Sequence, residues 1–235
     1  MDGGTDRGGV FVLFLTIAGT VLSHTRISDT AGDLTATFAD SDYFGFAVAG
    51  MGDVNNDGVV DLAVGAYGID DGGSHQGGVF VLLLTTSGTV LSHSRISDTA
   101  GDLTATFNVD NDDHFGWAVA GMGDMNGDGV PDLAVGVDWM EGVGIEQGGV
   151  FMLFLTSSGA VLSHARISDT AGDLTAILAN EAFFGSAVAG MGDVNGDDVP
   201  DLAVGARGID DGGGGVYVLL WAGLLSFSML FHLLL

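Results

Sequence analysis

The chain repeats itself. The segment VLSHTRISDTAGDLTATF at 21–38 returns at 90–107 with one substitution and at 161–178 with three, at offsets of 69 and 71 residues. A second block begins at Phe44 and recurs from Phe115 and Phe184, at offsets of 71 and 69. A third block, GGVFVLFLT at 8–16, returns at 77–85 and 148–156, and GGGVYVLL at 213–220 begins a fourth copy. Self-similarity at a fixed period implies stacked or radially arranged units, each burying its apolar faces against its neighbours.

One period reads as four short strands. They cover Phe46 to Gly50, Val60 to Ala66, Val79 to Thr85 and Thr89 to Ser97. Each is rich in Val, Leu, Phe or Ile and is bounded by Gly, Asp or Asn. The third is almost wholly apolar, as expected when both faces pack between sheets. No stretch carries a capped 3.6-residue period. Four antiparallel strands per unit are the cue for propeller blades, so the fold class expected is an all-β propeller. The chain opens on a third and fourth strand and runs to about 13 strands, or about three and a quarter blades, short of the four to eight that close a ring. The expected units are a partial blade at 1–43, repeats at 44–114 and 115–183, an incomplete repeat at 184–220 and a hydrophobic tail at 221–235.

Composition narrows the function. The formal charge is -26, from 31 acidic residues against five arginines and no lysine. Apolar residues still make up 47% of the chain. Disorder needs low hydrophobicity beside high charge, so a wholly disordered chain is excluded. Nucleic acid needs a basic footprint, which is missing. With no cysteine, disulfides and thiol chemistry are excluded. No nucleophile, base and acid converge in the motifs, so no enzyme is expected. Residues 1–7 lack the basic start and apolar core of a signal peptide. The uncharged run at 216–235 is long enough to span a membrane but has no basic flank. The alternative, a strand followed by a degenerate end, is the favoured reading.

The acids concentrate in one loop per repeat, between the first and second strands. In the first copy Asp53, Asn55, Asp57 and Asp61 stand at positions 1, 3, 5 and 9, with Val59 at position 7. The second copy has Asp124, Asn126, Asp128, Val130 and Asp132, and the third Asp193, Asn195, Asp197, Val199 and Asp201. The valines offer only a backbone carbonyl. Calcium takes six to eight oxygens from carboxylates, amides and carbonyls, whereas magnesium demands a stricter octahedron and keeps its waters. Three carboxylates in one loop repel each other unless a cation joins them. These fifteen residues are therefore the expected metal ligands, at about three calcium sites. With no Glu at position 12 and no flanking helices, the loop is not an EF-hand. Gly58 and Gly129 permit the bend at position 6, where the third copy has Asp198.

Taken together, Phe44-Gly45, the acidic loop and Asp61-Leu62-Ala63-Val64-Gly65-Ala66 resemble the FG-GAP repeats of the integrin alpha-chain β-propeller. Phe115-Gly116 with Asp132 to Val137, and Phe184-Gly185 with Asp201 to Ala206, carry the same blocks. The family's closing proline is replaced by Tyr67, Asp138 and Arg207. The resemblance implies a seven-bladed ring with calcium on one face. It also implies an extracellular or cell-surface setting and adhesion to a protein or glycan partner. Self-association to complete the ring is a further expectation, as is a rival role as an accessory or structural propeller beside an absent hydrolase or surface-layer domain. Phe44, Phe115 and Phe184 are expected to plug the space between blades. His24, His93 and His164 are read as duplicated outer-strand residues rather than ligands. Arg26, Arg95 and Arg166 are expected to pair with the aspartates of Ser-Asp-Thr-Ala-Gly-Asp. Alternatively Asp29 and Asp33, Asp98 and Asp102, and Asp169 and Asp173 contact a second cation.

Overall fold

The computed structural model describes residues 4–71, 73–101, 112–209, 213–220 and 230–233. It is all β-strand and turn. β1 (Val10–Leu15) and β2 (Val21–Ile27) form a two-stranded sheet. β3 (Ala47–Gly52), β4 (Asp61–Ala66), β5 (Gly78–Leu84) and β6 (Val90–Ser97) follow as a four-stranded antiparallel meander. β7 (Ala118–Gly123), β8 (Asp132–Val137), β9 (Gly149–Leu155) and β10 (Val161–Ile167) repeat it. β11 (Phe184–Gly192), β12 (Asp201–Ile209), β13 (Gly213–Leu219) and β14 (Leu230–Leu233) form the last sheet. β1 and β2 carry the same sequence blocks as β5 and β6.

The tail differs from the count of 13 strands. Backbone pairing of Val216 with Leu233 through Leu219 with Leu230 makes it a fourteenth strand. It supplies the fourth strand although the Ser-His-x-Arg signature is missing there. No helix among the described residues is long and apolar enough to cross a membrane.

Successive sheets stack through three apolar seams. Val10, Ile27, Leu34 and Phe38 meet Phe80, Leu82 and Leu84 in the first. Val79, Val81 and Ile96 meet Phe151, Leu153 and Leu155 in the second. Val150, Met152 and Ile167 meet Leu202, Val204 and Tyr217 in the third. This is why all seven residues of β5 are buried. β1 has nearly the same sequence, yet its burial alternates, because no sheet lies on its leading side. On the inner side, β7 lies beside both β3 and β11.

The Phe-Gly pair joins each sheet to the next. Phe44, Phe115 and Phe184 are at most 1% exposed and sit one in each seam. Their backbones form parallel bridges to Gly8, Gly77 and Gly148 of the preceding unit. Burying a Phe this fully is worth about 3–5 kcal/mol against Ala. The backbone also passes so closely that a Cβ on Gly65 would lie 2.0 Å from the Gly116 carbonyl oxygen, and one on Gly136 2.0 Å from that of Gly185. Only glycine fits there.

His24, His93 and His164 lie on the outer strands β2, β6 and β10, with their rings beside Phe11, Phe80 and Phe151. Burial lowers the pKa of His93 and His164. Arginine contacts reach both within and beyond the outer-strand segments. Arg95 Nη2 is 2.9 Å from Asp71, in the turn after β4. Asp29 is held by Arg7 at 3.2 Å, and Arg166 donates to Thr170 at 3.4 Å. Asp102, part of the second-cation alternative, lies outside the described residues.

Candidate metal centre

The three acidic loops join β3 to β4, β7 to β8 and β11 to β12, so they share one end of the stack. A register shift precedes each, between Gly50 and Gly52, Gly121 and Gly123, and Gly190 and Gly192. Such bulges bend the strand and re-aim the residue that follows, here Asp53, Asp124 and Asp193.

The loop closes on itself through Asx turns. Asp53 accepts hydrogen bonds from the Asp57 N–H at 2.9 Å and the Gly58 N–H at 2.7 Å. Asn55 Oδ1 also accepts from the Asp57 N–H, at 3.1 Å, while its Nδ2 donates to Asp57 Oδ2 at 2.8 Å. The other oxygen of Asp57 accepts from the Val59 N–H at 2.9 Å. The second loop repeats the pattern through Asp124, Asn126 and Asp128. So does the third, through Asp193, Asn195 and Asp197. Position 6 is left-handed in every copy: φ is 87° at Gly58 and Gly129, and 66° at Asp198. The loop shape thus survives the loss of glycine, at the strain an L-residue carries there.

Positions 1, 3 and 5 therefore gather into one hydrogen-bonded group. Position 9 stands apart in kind. Asp61 is fully buried at the start of β4 and accepts from the Val54 N–H at 2.8 Å and the Leu84 N–H at 2.9 Å. It ties the loop to β5. Asp132 does the same through Met125 at 2.9 Å and Leu155 at 3.1 Å. Burial raises the pKa of Asp61, and the nearby charges of Asp57 and Asp53 add to the effect. The Asp132 carboxyl is pushed up to about 6 by burial, with Asp128 and Asp124 contributing. Exposed Asp193 is instead lowered, by the backbone N–H groups of Asp198, Gly196 and Asp197.

Among the described residues, no three His, Asp or Glu side chains stand ready-made as a metal cluster. The carboxylate oxygens are turned to backbone N–H groups. The donor chemistry nonetheless fits a hard cation: each loop offers three carboxylates and an amide oxygen, with no nitrogen or sulfur ligand. The mutual repulsion felt at Asp61 and Asp132 is what a divalent ion relieves.

Sequence reasoning did not single out a second cluster, at the opposite end of the strands. Tyr43 stacks on Tyr67 at 4.9 Å, and Tyr67 meets Phe46 and Trp117 edge-on. Buried Asp138 lies 3.0 Å from Arg207 Nη2 and 3.2 Å from His114 Nδ1. The Arg207 guanidinium covers the Phe183 ring at 4.2 Å. Tyr67, Asp138 and Arg207 share one repeat position, and their divergence was the available signal.

A family model described as the FG-GAP repeat matches residues 115–149. Integrin alpha-6 of Gallus gallus is 33% identical over 165 residues, 69% of this chain and 13% of that protein. Integrin alpha-7 of Mus musculus is 32% identical over 165 residues, 69% of this chain and 12% of its own length. Phosphatidylinositol-glycan-specific phospholipase D of Homo sapiens is 31% identical over 202 residues, 84% of this chain and 22% of that protein. The chain thus spans a small fraction of each relative.

Proposed function

The chain carries an FG-GAP repeat domain resembling the integrin alpha-chain propeller region, and from that premise we propose that it is a calcium-binding extracellular interaction module. The observation that carries the reading is the threefold recurrence of one loop. Asp, Asn, Asp and Asp oxygens stand at positions 1, 3, 5 and 9, with the same internal hydrogen bonds, at one end of the stack. In this reading Asp53, Asn55, Asp57 and Asp61, with the Val59 carbonyl, hold the first ion. Asp124, Asn126, Asp128, Val130 and Asp132 hold the second, and Asp193, Asn195, Asp197, Val199 and Asp201 the third. A bound cation fixes the loops and offsets part of the -26 charge. It would act on stability and shape rather than on a reaction.

Likeness to integrin alpha chains supports a general adhesion role at the cell surface or outside the cell, with an extracellular protein as partner. A glycan partner is the narrower variant. The match to the phospholipase, which covers more of this chain than the integrin matches do, favours a second reading as an accessory propeller beside a hydrolase domain. Calorimetric titration of calcium chloride into the metal-stripped chain tests the metal assignment. Three equivalents are expected, and Asp57→Ala, Asp128→Ala and Asp197→Ala should each remove one. Absence of saturable calcium uptake contradicts it.

A further inference from the structure

We propose that the second and third acidic loops modify themselves: the Gly127 and Gly196 nitrogens attack the side-chain amides of Asn126 and Asn195 and convert them to aspartate and isoaspartate. This chemistry lies beyond the interaction role above and needs no bound ion. Asparagine is chemically labile, and a following glycine leaves the attacking nitrogen uncrowded by a side chain. Asn126-Gly127 and Asn195-Gly196 are the two Asn-Gly pairs of the chain, whereas the first loop has Asn55-Asn56. All four residues of the two pairs are exposed. Both glycines are left-handed, at φ 78° and 81°, and nothing lies within 4 Å of the place a Cβ would take. Water therefore has free access.

The loop holds each group the reaction needs. Asn126 Oδ1 accepts from the Asp128 N–H at 2.9 Å. That bond folds the side chain forward across the Gly127 peptide and polarises its carbonyl, as an oxyanion donor does. The Gly127 N–H is donated to Asp124 Oδ1 at 2.7 Å, a carboxylate placed to draw off the proton as the nitrogen attacks. The leaving nitrogen, Asn126 Nδ2, donates to Asp128 Oδ2 at 2.9 Å. The third loop repeats all three contacts. Asp197 N–H reaches Asn195 Oδ1 at 3.0 Å, Gly196 N–H reaches Asp193 Oδ1 at 2.6 Å, and Asn195 Nδ2 reaches Asp197 Oδ2 at 3.2 Å.

As the Gly127 nitrogen bonds to Asn126 Cγ, its proton passes to Asp124 and the Cγ–Nδ2 bond breaks. The carboxylates relay that proton to Nδ2, which leaves as ammonia. The product is a cyclic succinimide. One water then adds to either ring carbonyl. Opening on one side gives aspartate in an unchanged main chain. Opening on the other gives isoaspartate, which adds a methylene to the main chain and abolishes the Asx turn. Either product places a new carboxylate at position 3. The first loop is the built-in control. It grips Asn55 through the same two bonds to Asp57, at 3.1 and 2.8 Å. There the attacking nitrogen belongs to Asn56, at φ 59°, whose own side chain hinders ring closure. Two loops therefore age and one is spared.

The test incubates the full chain at neutral pH in chelator. Peptide mass mapping reads amide-to-acid conversion at each position, and isoaspartyl methyltransferase labelling reads the rearranged product. Asn126 and Asn195 should convert while Asn55 stays an amide. Conversion in the native chain should outrun that in the urea-unfolded chain by roughly tenfold or more, through the placed base and the N–H donor. Asp124→Asn keeps a hydrogen-bond acceptor but loses the base. It should slow Asn126 alone, with Asn195 in the same chain as the reference for an intact fold. Asn56→Gly puts glycine at a residue that is already left-handed and should start conversion at Asn55. Four results overturn the proposal: a native rate no higher than the unfolded rate, equal conversion in all three loops, Asp124→Asn converting Asn126 as fast as wild type, or Asn56→Gly leaving Asn55 intact.

Discussion

Asp61 separates the structural work of the acidic loop from its ion binding. Its two oxygens accept from Val54 and Leu84, in a site closed to water. Asp61→Ala leaves two buried N–H groups without acceptors, each costing about 1–3 kcal/mol. The same truncation removes a carboxylate that burial already disfavours, as its raised pKa shows. The net loss should fall near the lower end, at about 2–3 kcal/mol. Asp57 is exposed, and Asp57→Ala should cost no more than about 1 kcal/mol. Urea unfolding in chelator reads the difference. At a slope of about 2 kcal/mol per molar, Asp61→Ala should lower the midpoint by roughly 1 M. Asp61→Asn keeps one acceptor and should fall between the two. Hydrogen exchange at the Val54 and Leu84 amides should quicken in Asp61→Ala alone. Equal midpoints for Asp61→Ala and Asp57→Ala would refute the claim that position 9 anchors the loop without metal.

Other consequences follow from single positions. Gly136→Ala should split the seam between the third and fourth sheets and lower the melting temperature sharply, because its Cβ would meet the Gly185 carbonyl at 2.0 Å. Gly205→Ala, at the same repeat position, meets nothing closer than Ala187 at 3.2 Å and should melt near wild type. Asp198→Gly removes a side chain from a residue at φ 66° and should stabilise the chain by roughly 1 kcal/mol, measured by urea unfolding in chelator. His93 and His164 have depressed pKa values through burial. Their neutral forms favour the fold, so this stability is present above the ordinary 6.5 and is lost as pH falls through the lower folded values. A His93→Asn, His164→Asn double variant should show a smaller fall in melting temperature across that range than wild type.

Much of this architecture is legible in the sequence because the repeat supplies its own controls. Three copies of Phe-Gly fix where sheets meet, and three of Asp-x-Asn-x-Asp fix where the loops fall. The unbroken apolar run of β5 announces burial on both faces. What the sequence could not show is where repetition ends. β1 and β5 read alike, yet only β5 is covered on both sides. β14 forms from residues with no Ser-His-x-Arg signature, because an edge strand needs only backbone groups and a free register. Arg95 pairs with Asp71, in a turn that the fold rather than chain proximity brings close. Within the loops, the oxygen pattern was readable, but the division between the exposed group at positions 1, 3 and 5 and the buried anchor at position 9 was not. That division depends on the bulge and on the β5 amide that the third strand brings to Asp61.

Calcium binding is the property on which the proposed function most directly depends. Thermal melting of the full chain in calcium, in magnesium and in chelator measures it. Each site occupied at a hundredfold excess over its dissociation constant adds about 2.7 kcal/mol. Melting should therefore rise markedly in calcium and little in magnesium, and Asp57→Ala, Asp128→Ala and Asp197→Ala combined should abolish the rise. Identical melting in calcium and chelator, or an equal rise with magnesium, would contradict the assignment of these three loops to calcium.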